Sequence, residues 1–226
     1  MSLKTETTPA PYTPVKPQSS CTEIPILDLE PYFSRKKGAE QKLSNDLRHA
    51  QENIGFYYII NHGISKSLIK RCFSELKTFF ALPFEEKIKL KFDHNMIGYV
   101  PPKSTIYETS TINKNTKKDQ NETLLVGVER DLNDPLILQN KRFTIPNRWP
   151  EGLPVFRQTM IEYQKVMMDL GWNLLPLYAL ALDKPADYFN KYFNLNPNCR
   201  GRYSHYPVVD VEDNQFGHAP IVITGF

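Results

Sequence analysis

The sequence predicts a mixed protein of α-helices and short β-strands. One long segment carries apolar residues at alternating steps of 4 and 3, which is typical of one face of a helix. Two short runs rich in aromatic and β-branched residues end at turn signals, which is typical of strands. The 226 residues are enough for one large domain or two small ones, so the chain can bury a sizeable core.

Charge and composition argue against several classes of protein. The net charge is +3, from 28 basic and 25 acidic residues, which predicts neither a nucleic-acid partner nor an anionic membrane partner. No apolar run approaches the roughly 18 residues that a membrane span requires. Cys21, Cys72 and Cys199 are odd in number and widely spaced, which argues against a disulfide framework and favours a reducing, cytoplasmic location.

Residues 1–22 are predicted to be a disordered leader. They are rich in proline, threonine and serine, and they lack a periodic apolar pattern. A transit peptide is the alternative. Glu6 comes early, the segment lacks arginine, and its prolines oppose an amphipathic helix, so the disordered leader is preferred.

The region after the leader is predicted to alternate between strands and helices. Ile24–Leu29 and Phe56–Ile60 are the two strands, and a proline near the start of the first is tolerated there. Ser65 is a suitable cap for a helix, because its side chain can accept a hydrogen bond from the first turn. The predicted helices are Lys42–Asn53, Lys66–Ala81 and Phe84–Leu90.

The middle of the chain has a less regular pattern. Gly98–Pro102 is predicted to be a turn or an irregular strand, and Asn113–Asn121 a polar loop whose lysines are solvated. Glu122–Val128 is a predicted strand. Three prolines within Pro146–Pro154 predict a connector.

The clearest periodicity belongs to Val155–Leu182, a predicted long helix. Its methionines and aromatic residues are interpreted as core packing. Pro176 lies inside this segment and is expected to kink or split the helix, because proline removes one hydrogen bond and clashes one turn back. Asp187–Phe193 is predicted to be a short further helix.

A strand near residue 200 carries a row of polar side chains. Arg202, Ser204 and Tyr206 alternate along it and therefore share one face. An arginine offers a planar fork for a carboxylate and the two hydroxyls add hydrogen bonds, so this face suits a carboxylate-bearing small molecule. The alternative is an exposed polar strand face without a ligand.

Five motifs, taken in order, resemble one known family. They are Ile24-Pro-Ile-Leu-Asp-Leu29, Gly55-Phe-Tyr-Tyr-Ile-Ile-Asn-His-Gly63, Leu82-Pro-Phe-Glu-Glu-Lys87, Gly98-Tyr99 and, after the long helix, Arg202-Tyr-Ser-His-Tyr-Pro207. Together they make the chain similar, from Ile24 to Pro220, to the isopenicillin-N-synthase-like group of non-haem iron(II), 2-oxoglutarate-dependent oxygenases.

The resemblance implies an α+β fold in which a helix-rich N-terminal cap precedes a double-stranded β-helix, a jelly-roll barrel. The expected divisions are the leader at 1–22, an N-terminal dioxygenase domain at 23–150, the long helix and connector at 151–197, and the start of the catalytic barrel at 198–226. This barrel is expected to be incomplete, which would make the chain a C-terminally truncated member of the family.

The resemblance also implies a chemistry. Such enzymes hold iron(II) with two histidines and one carboxylate, leave positions for 2-oxoglutarate and oxygen, and oxidise small organic molecules. Tyr206 falls where the family often has a tyrosine touching the co-substrate, and Ser204 falls where an asparagine is more usual. His62 belongs to the signature turn and is expected to be structural. His205 is expected to lie in the core or on the surface.

The chain departs from the family where the metal ligands are expected. The family's His-x-Asp follows the segment Asn214–Pro220, but Ile221-Val-Ile223 stands in that position. His218 is a poor substitute, because its spacing partner would be Pro220, which has no donor atom. The family's last histidine and its 2-oxoglutarate arginine are absent from the sequence. We therefore expect no metal ligand or catalytic residue here, no bound iron(II) or 2-oxoglutarate, and no activity of this chain alone.

Three hypotheses for the function stay open. The chain descends from an oxygenase but is inactive alone, or it is a non-catalytic partner of a full-length relative, or it is a fragment from an altered gene model. The implied partners are a small-molecule substrate in the parent family and a full-length relative, with no nucleic acid and no membrane. The pairing hypothesis is motivated by an expected unpaired strand edge and by the apolar face of the long helix, and the apolar Ile221–Ile223 run is expected to be an aggregation hazard.

Overall fold

The computed structural model describes residues 23–106, 113–193, 198–210 and 212–219. The predicted leader and Ile221–Ile223 lie outside the described residues. The strands are β1 (Ile26–Asp28), β2 (Tyr58–Ile60), β3 (Gly98–Val100), β4 (Glu122–Gly127) and β5 (Arg200–His205). The helices are α1 (Glu30–Phe33), α2 (Ala39–Asn53), α3 (Lys66–Phe80), α4 (Phe84–Ile88), α5 (Pro135–Leu138) and α6 (Pro154–Ala181).

β1 and β2 form a two-stranded parallel sheet in which Leu27 stands opposite Ile59. The inner face of this sheet packs on α2 and on the C-terminal half of α6. Burial stabilises each leucine side chain by about 1.5–3 kcal/mol relative to exposure. The buried leucines of this first core are Leu27, Leu29, Leu43, Leu47, Leu170 and Leu177.

The second sheet is antiparallel with strand order β3-β4-β5, so β4 is central and β5 is the outer strand among the described residues. Leu124 and Val126 alternate along β4 and are buried on the same face. They pack in a second core with aromatic residues of α3 and α6, in which Phe79 stacks on Phe156 with ring centroids 5.2 Å apart. This packing determines the position of β5, the strand that carries the predicted binding residues.

α6 contributes to both cores. Phe156 and Met160, near its start, belong to the second core, whereas Leu170 and Leu177 belong to the first. The two sheets are therefore attached to the same helix. Among the described residues no helix, α6 included, is long and apolar enough to cross a membrane.

The long helix predicted around Pro176 is confirmed, and it continues through that proline. Of the two expected outcomes at this residue, a kink or a split, the split does not occur. Leu177 and Ala179, just beyond it, are almost fully buried, and this packing compensates for the hydrogen bond that the proline removes. Tertiary contacts thus override the local preference of the sequence.

The remaining differences concern short elements. Asp187–Phe193 forms successive turns instead of the predicted helix. α1 and α5 each have four residues, which is too short for a periodic pattern to reveal them. The cap predicted at Ser65 is confirmed, because its Oγ accepts a hydrogen bond from Ser67 N at 3.2 Å.

Phe156→Ala is expected to lower the free energy of unfolding by about 3–5 kcal/mol, because it leaves a cavity between α3, α6 and the second sheet. Urea denaturation followed by circular dichroism measures this change. The matched control is Val155→Ala, at an exposed neighbouring position, with an expected change within about 1 kcal/mol. Equal effects of both substitutions would show that the second core is not packed as described.

Candidate functional site

The residues predicted to contact 2-oxoglutarate lie at the end of β5. Ser204 stands opposite Thr123 of β4, and their hydroxyl oxygens are 3.2 Å apart. Tyr206 follows the strand and is 54% exposed. Its ring lies close to Gly217, where an added Cβ would approach the ring at 3.0 Å. Ser204 thus has a hydroxyl partner on the neighbouring strand, while Tyr206 is open to solvent.

A buried carboxylate lies beside these residues. Glu122 is 4% exposed and accepts hydrogen bonds from three side chains that come from three other parts of the fold. Lys87 Nζ of α4 is 2.8 Å from Glu122 Oε2, and the hydroxyl of Tyr99 on β3 donates to the same oxygen. His205 Nδ1 on β5 donates to Glu122 Oε1 at 2.8 Å. Lys87 also donates to Phe80 O at 2.9 Å, so its buried ammonium has two acceptors.

The network determines the ionisation of its members. Burial acts to raise the pKa of Glu122, but the hydrogen bonds from Lys87, Tyr99 and His205 and the charge of Lys87 hold that pKa below its usual value. Burial, the hydrogen bond to Glu122 and the negative charge of Glu122 raise the pKa of Tyr99. Glu122 is therefore the anion of the cluster, and Tyr99 is a neutral donor.

His205 was expected to lie in the core or on the surface, and its side chain is in fact partly buried and partly exposed. Its ring stacks on Phe80 with centroids 5.2 Å apart. Its side chain is 45% exposed, while its partner Glu122 is buried. His205 is thus the partly exposed member of the buried Glu122 network. It lies between Ser204 and Tyr206 in the sequence.

The residues just before the position expected for the family's His-x-Asp are hydrogen-bonded to the residues that precede β4. Asn121 N donates to Gly217 O at 3.0 Å, and Asn121 Nδ2 donates to the same oxygen at 2.7 Å. Asp119 is almost fully buried, and its Oδ1 accepts a hydrogen bond from Ala219 N at 3.0 Å. The loop predicted at Asn113–Asn121 is thus polar, as expected, but its end is buried. These contacts hold the chain in place as far as Ala219.

A groove with a volume of about 480 Å³ opens between α3, α6 and β5. Its apolar lining comes mainly from Cys72, Phe73, Leu76, Phe80, Tyr163 and Tyr203. Its polar lining comes from Lys77, Arg202, Ser204 and His205. Burial raises the pKa of the Cys72 thiol to about 11, so this cysteine is a neutral wall residue at neutral pH.

The described residues do not fit an iron(II) site. Within them, no group of three or more histidine, cysteine, aspartate or glutamate side chains lies close enough together to hold a metal ion. The pair formed by Glu122 and His205 does not meet this need, because the other oxygen of Glu122 is bonded to Lys87 and Tyr99. His62 Nδ1 accepts a hydrogen bond from Ile64 N at 3.1 Å, in agreement with its expected structural role. No reaction step is assigned to iron in this part of the chain.

The sequence from β1 to the residues just before α6 matches that of a known family. Residues 24–152 match the family described as "non-haem dioxygenase in morphine synthesis N-terminal". The chain belongs to this family, and thereby to the non-haem iron(II)/2-oxoglutarate-dependent oxygenases that the motifs predicted.

Two curated relatives and one crystal structure illustrate the similarity. Kihadalactone A synthase LFS of Citrus sinensis is 34% identical over 172 residues, which cover 75% of this chain and 49% of that protein. The 2-oxoglutarate-dependent dioxygenase citB of Monascus ruber is 31% identical, with coverages of 84% and 57%. Full-length Neurospora crassa T7H in complex with alpha-KG has a TM-score of 0.66 at 22% identity, over 81% of this chain and 54% of that chain, which shows a shared fold. The chain spans about half the length of the curated relatives it matches.

The Glu122 network is the part of the site that sequence reasoning missed. The signal was the alternation along β4, which puts Glu122 on the same face as Leu124 and Val126. A carboxylate on a buried face requires a cation or several donors. The sequence did not indicate which of the 28 basic residues supplies it.

Lys87→Met is expected to lower the free energy of unfolding by about 3–5 kcal/mol, because it leaves the Glu122 carboxylate buried without its cation. Urea denaturation at neutral pH measures the change. The control is Lys89→Met, which breaks the exposed pair with Glu86 and is expected to change stability by less than about 1 kcal/mol. Similar losses in the two variants would contradict the network.

The lowered pKa of Glu122 predicts a pH dependence of stability. A carboxylate whose pKa is lower in the folded state stabilises the fold above its unfolded pKa of about 4.3, and this contribution is lost as pH falls through the folded pKa. The free energy of unfolding should therefore decrease as the pH is lowered below about 4.3, and this decrease should be smaller in Glu122→Gln. Chemical denaturation at a series of pH values gives the slopes. Glu85→Gln, which removes an exposed carboxylate of α4, is the control for the loss of one negative charge.

Proposed function

We propose that this chain has the fold of an iron(II)/2-oxoglutarate-dependent oxygenase of small organic molecules but does not turn over 2-oxoglutarate by itself. One observation supports the proposed lack of turnover. Ile221-Val-Ile223 occupies the position of the family's His-x-Asp, and aliphatic side chains have no lone pair to donate to a metal. The lack of a suitable donor group in the described residues supports the same proposal.

The proposed architecture is a helix-rich cap at 23–150, the long helix and connector at 151–197, and the beginning of a jelly-roll barrel at 198–226. The antiparallel order β3-β4-β5 supports it, because the walls of a jelly roll are antiparallel. In this arrangement β5 is part of the wall that an oxygenase of this family presents to its co-substrate. Ser204 and Tyr206 are the residues that we propose for that contact, and the hydroxyl of Ser204 is available as a donor or acceptor.

Iron(II) and 2-oxoglutarate are proposed as cofactors of the parent activity and not of this chain alone. The name of citB and the complex of T7H with alpha-KG attach the co-substrate to those proteins. In this chain the hydroxyl of Ser204 is shared with Thr123, and Tyr206 is exposed. Neither of these two residues is a cation, so the contact that we propose for them is by hydrogen bonds from their hydroxyls.

A second candidate function is non-catalytic pairing with a full-length relative. The observation that favours it is that β5, within the part of the chain that the structure describes, is the outer strand of its sheet and lies next to an open apolar groove. An edge strand presents unpaired backbone groups that another chain can satisfy. Pairing of this kind requires neither iron nor 2-oxoglutarate.

The purified chain, supplied with iron(II), ascorbate and 2-oxoglutarate, is expected to release no more succinate than a metal-free control. The relative citB, treated identically, is the positive control for the assay. Iron-dependent succinate from the chain alone would overturn the proposed inactivity. A transcript that reads on from the codon of Pro220 into His-x-Asp would assign the activity to a longer product and identify this chain as a fragment of it.

A further inference from the structure

We infer that the guanidinium groups of Arg142 and Arg200, which both lie against the ring of Phe143, form a binding site for a small oxyanion of the phosphate or carboxylate class. The site shares no residue with the groove beside α3 or with the contact to 2-oxoglutarate proposed at Ser204 and Tyr206. It goes beyond the proposed function, because it requires neither turnover nor a partner chain.

Two cations meet at one aromatic ring. The Cζ atom of Arg200, the first residue of β5, is 4.4 Å from the centroid of the Phe143 ring. The Cζ atom of Arg142, the residue before Phe143, is 4.3 Å from the same centroid. Both distances are within the roughly 6 Å over which a cation is attracted to an aromatic ring. The ring thus brings two positive charges together without neutralising either of them.

The charge of Arg200 lacks a counter-charge in the described part of the chain. Arg200 is partly buried, and its Nη1 atom is enclosed without a hydrogen-bond acceptor. The ion pairs found among the described residues include neither Arg200 nor Arg142. A partly buried charge without a counter-charge is unfavourable. An anion bound at the other nitrogens of the Arg200 guanidinium would supply that counter-charge.

The acidic side chains of the neighbouring segments are already engaged. Asp93, on the segment that contacts Arg142, forms an ion pair with Arg148. Glu129, just after β4, forms an ion pair with Arg157. A counter-charge for the two guanidinium groups at Phe143 must therefore come from outside these segments.

The backbone at Phe143 is held in an unfavourable conformation that presents its ring to both arginines. Its φ is 73°, in the left-handed region that a bulky side chain rarely adopts. Phe143 N donates to Oδ1 of the buried Asn95 at 3.2 Å, and Arg142 Nε donates to His94 O at 3.2 Å. Residues in such conformations persist where surrounding contacts hold them, and they cluster at ligand-binding sites.

The partial burial of Arg200 favours a small ion over a protein segment as the ligand. A compact oxyanion needs contact only with the nitrogens of Arg200 that are not enclosed and with the exposed guanidinium of Arg142. An acidic side chain of a protein would also need room for its own backbone beside the Phe143 loop. The planar guanidinium fork matches the oxygen spacing of both phosphate and carboxylate, so the shared chemistry of the ligand is that of an oxyanion.

Isothermal titration calorimetry of the full chain at neutral pH tests the site. Sodium phosphate and sodium malonate, a small dicarboxylate, are the two probes, and sodium chloride at the same ionic strength is the blank. We expect one-to-one binding of at least one oxyanion and no binding of chloride. Tighter binding of phosphate assigns the site to phosphate or a phosphate ester, and tighter binding of malonate assigns it to a small carboxylate.

Two variants and one control locate the site. Arg200→Gln is expected to weaken binding of the oxyanion about tenfold or more, because it removes a charged hydrogen-bond donor in a partly buried position. Arg142→Gln, at an exposed position, is expected to weaken it about two- to fivefold. The control Arg35→Gln makes the same change at an exposed arginine after α1 and should leave the affinity unchanged. Circular dichroism of each variant verifies that the fold is retained.

Heats of phosphate and malonate titration that equal those of chloride would overturn the oxyanion site. Equal weakening by the substitutions at Arg200, Arg142 and Arg35 would do the same, because it would show an unspecific attraction to the net positive charge of the chain. If Arg200→Gln lowers stability while the wild-type chain binds neither oxyanion, this guanidinium already has an acceptor within the protein, and the site is again refuted. Arg142→Gln, at its exposed position, keeps the test decisive if Arg200→Gln does not fold.

Discussion

The carboxylate of Glu122 connects α4 to the second sheet, and its burial constrains the side chains around it. An ionised carboxylate in the interior is unfavourable unless a cation and several donors surround it. Lys87 of α4, Tyr99 of β3 and His205 of β5 meet this requirement from three separate elements. Because His205 lies between Ser204 and Tyr206, the same contacts determine where the candidate binding residues stand. Loss of one partner would therefore disturb the site as well as the core.

α6 has the complementary role of holding the two sheets at fixed positions along one axis. Its first half packs with the aromatic core under β4, and its second half packs with the leucines under β1 and β2. The groove lies where α6 passes the edge of β5, and Tyr163 is the α6 residue that lines it. The position of this apolar groove is thus a consequence of how the two sheets are spaced along α6.

Membership of the oxygenase family is shown by the sequence match of this chain, whereas the loss of the family's chemistry is our proposal. The family match covers residues 24–152, which include α4 and the strands β3 and β4, whose packing depends on core residues. By the family resemblance, two of the three metal ligands follow Pro220, where this sequence has isoleucine and valine. Core packing does not depend on those ligands, so the fold can persist when the ligand positions change.

The sequence by itself determined the strands β1, β2, β4 and β5, the helices α2, α3, α4 and α6, the cap at Ser65 and the family, because these depend on local periodicity and on contiguous motifs. Only the tertiary structure decided the continuity of α6 through Pro176, the turns at Asp187–Phe193 and the partners of Glu122. Those partners are 35 and 83 residues away for Lys87 and His205, and a one-dimensional pattern carries no information on such pairings. These pairings depend on burial, because a charged side chain in the core is unfavourable unless the fold places an oppositely charged group and hydrogen-bond partners next to it.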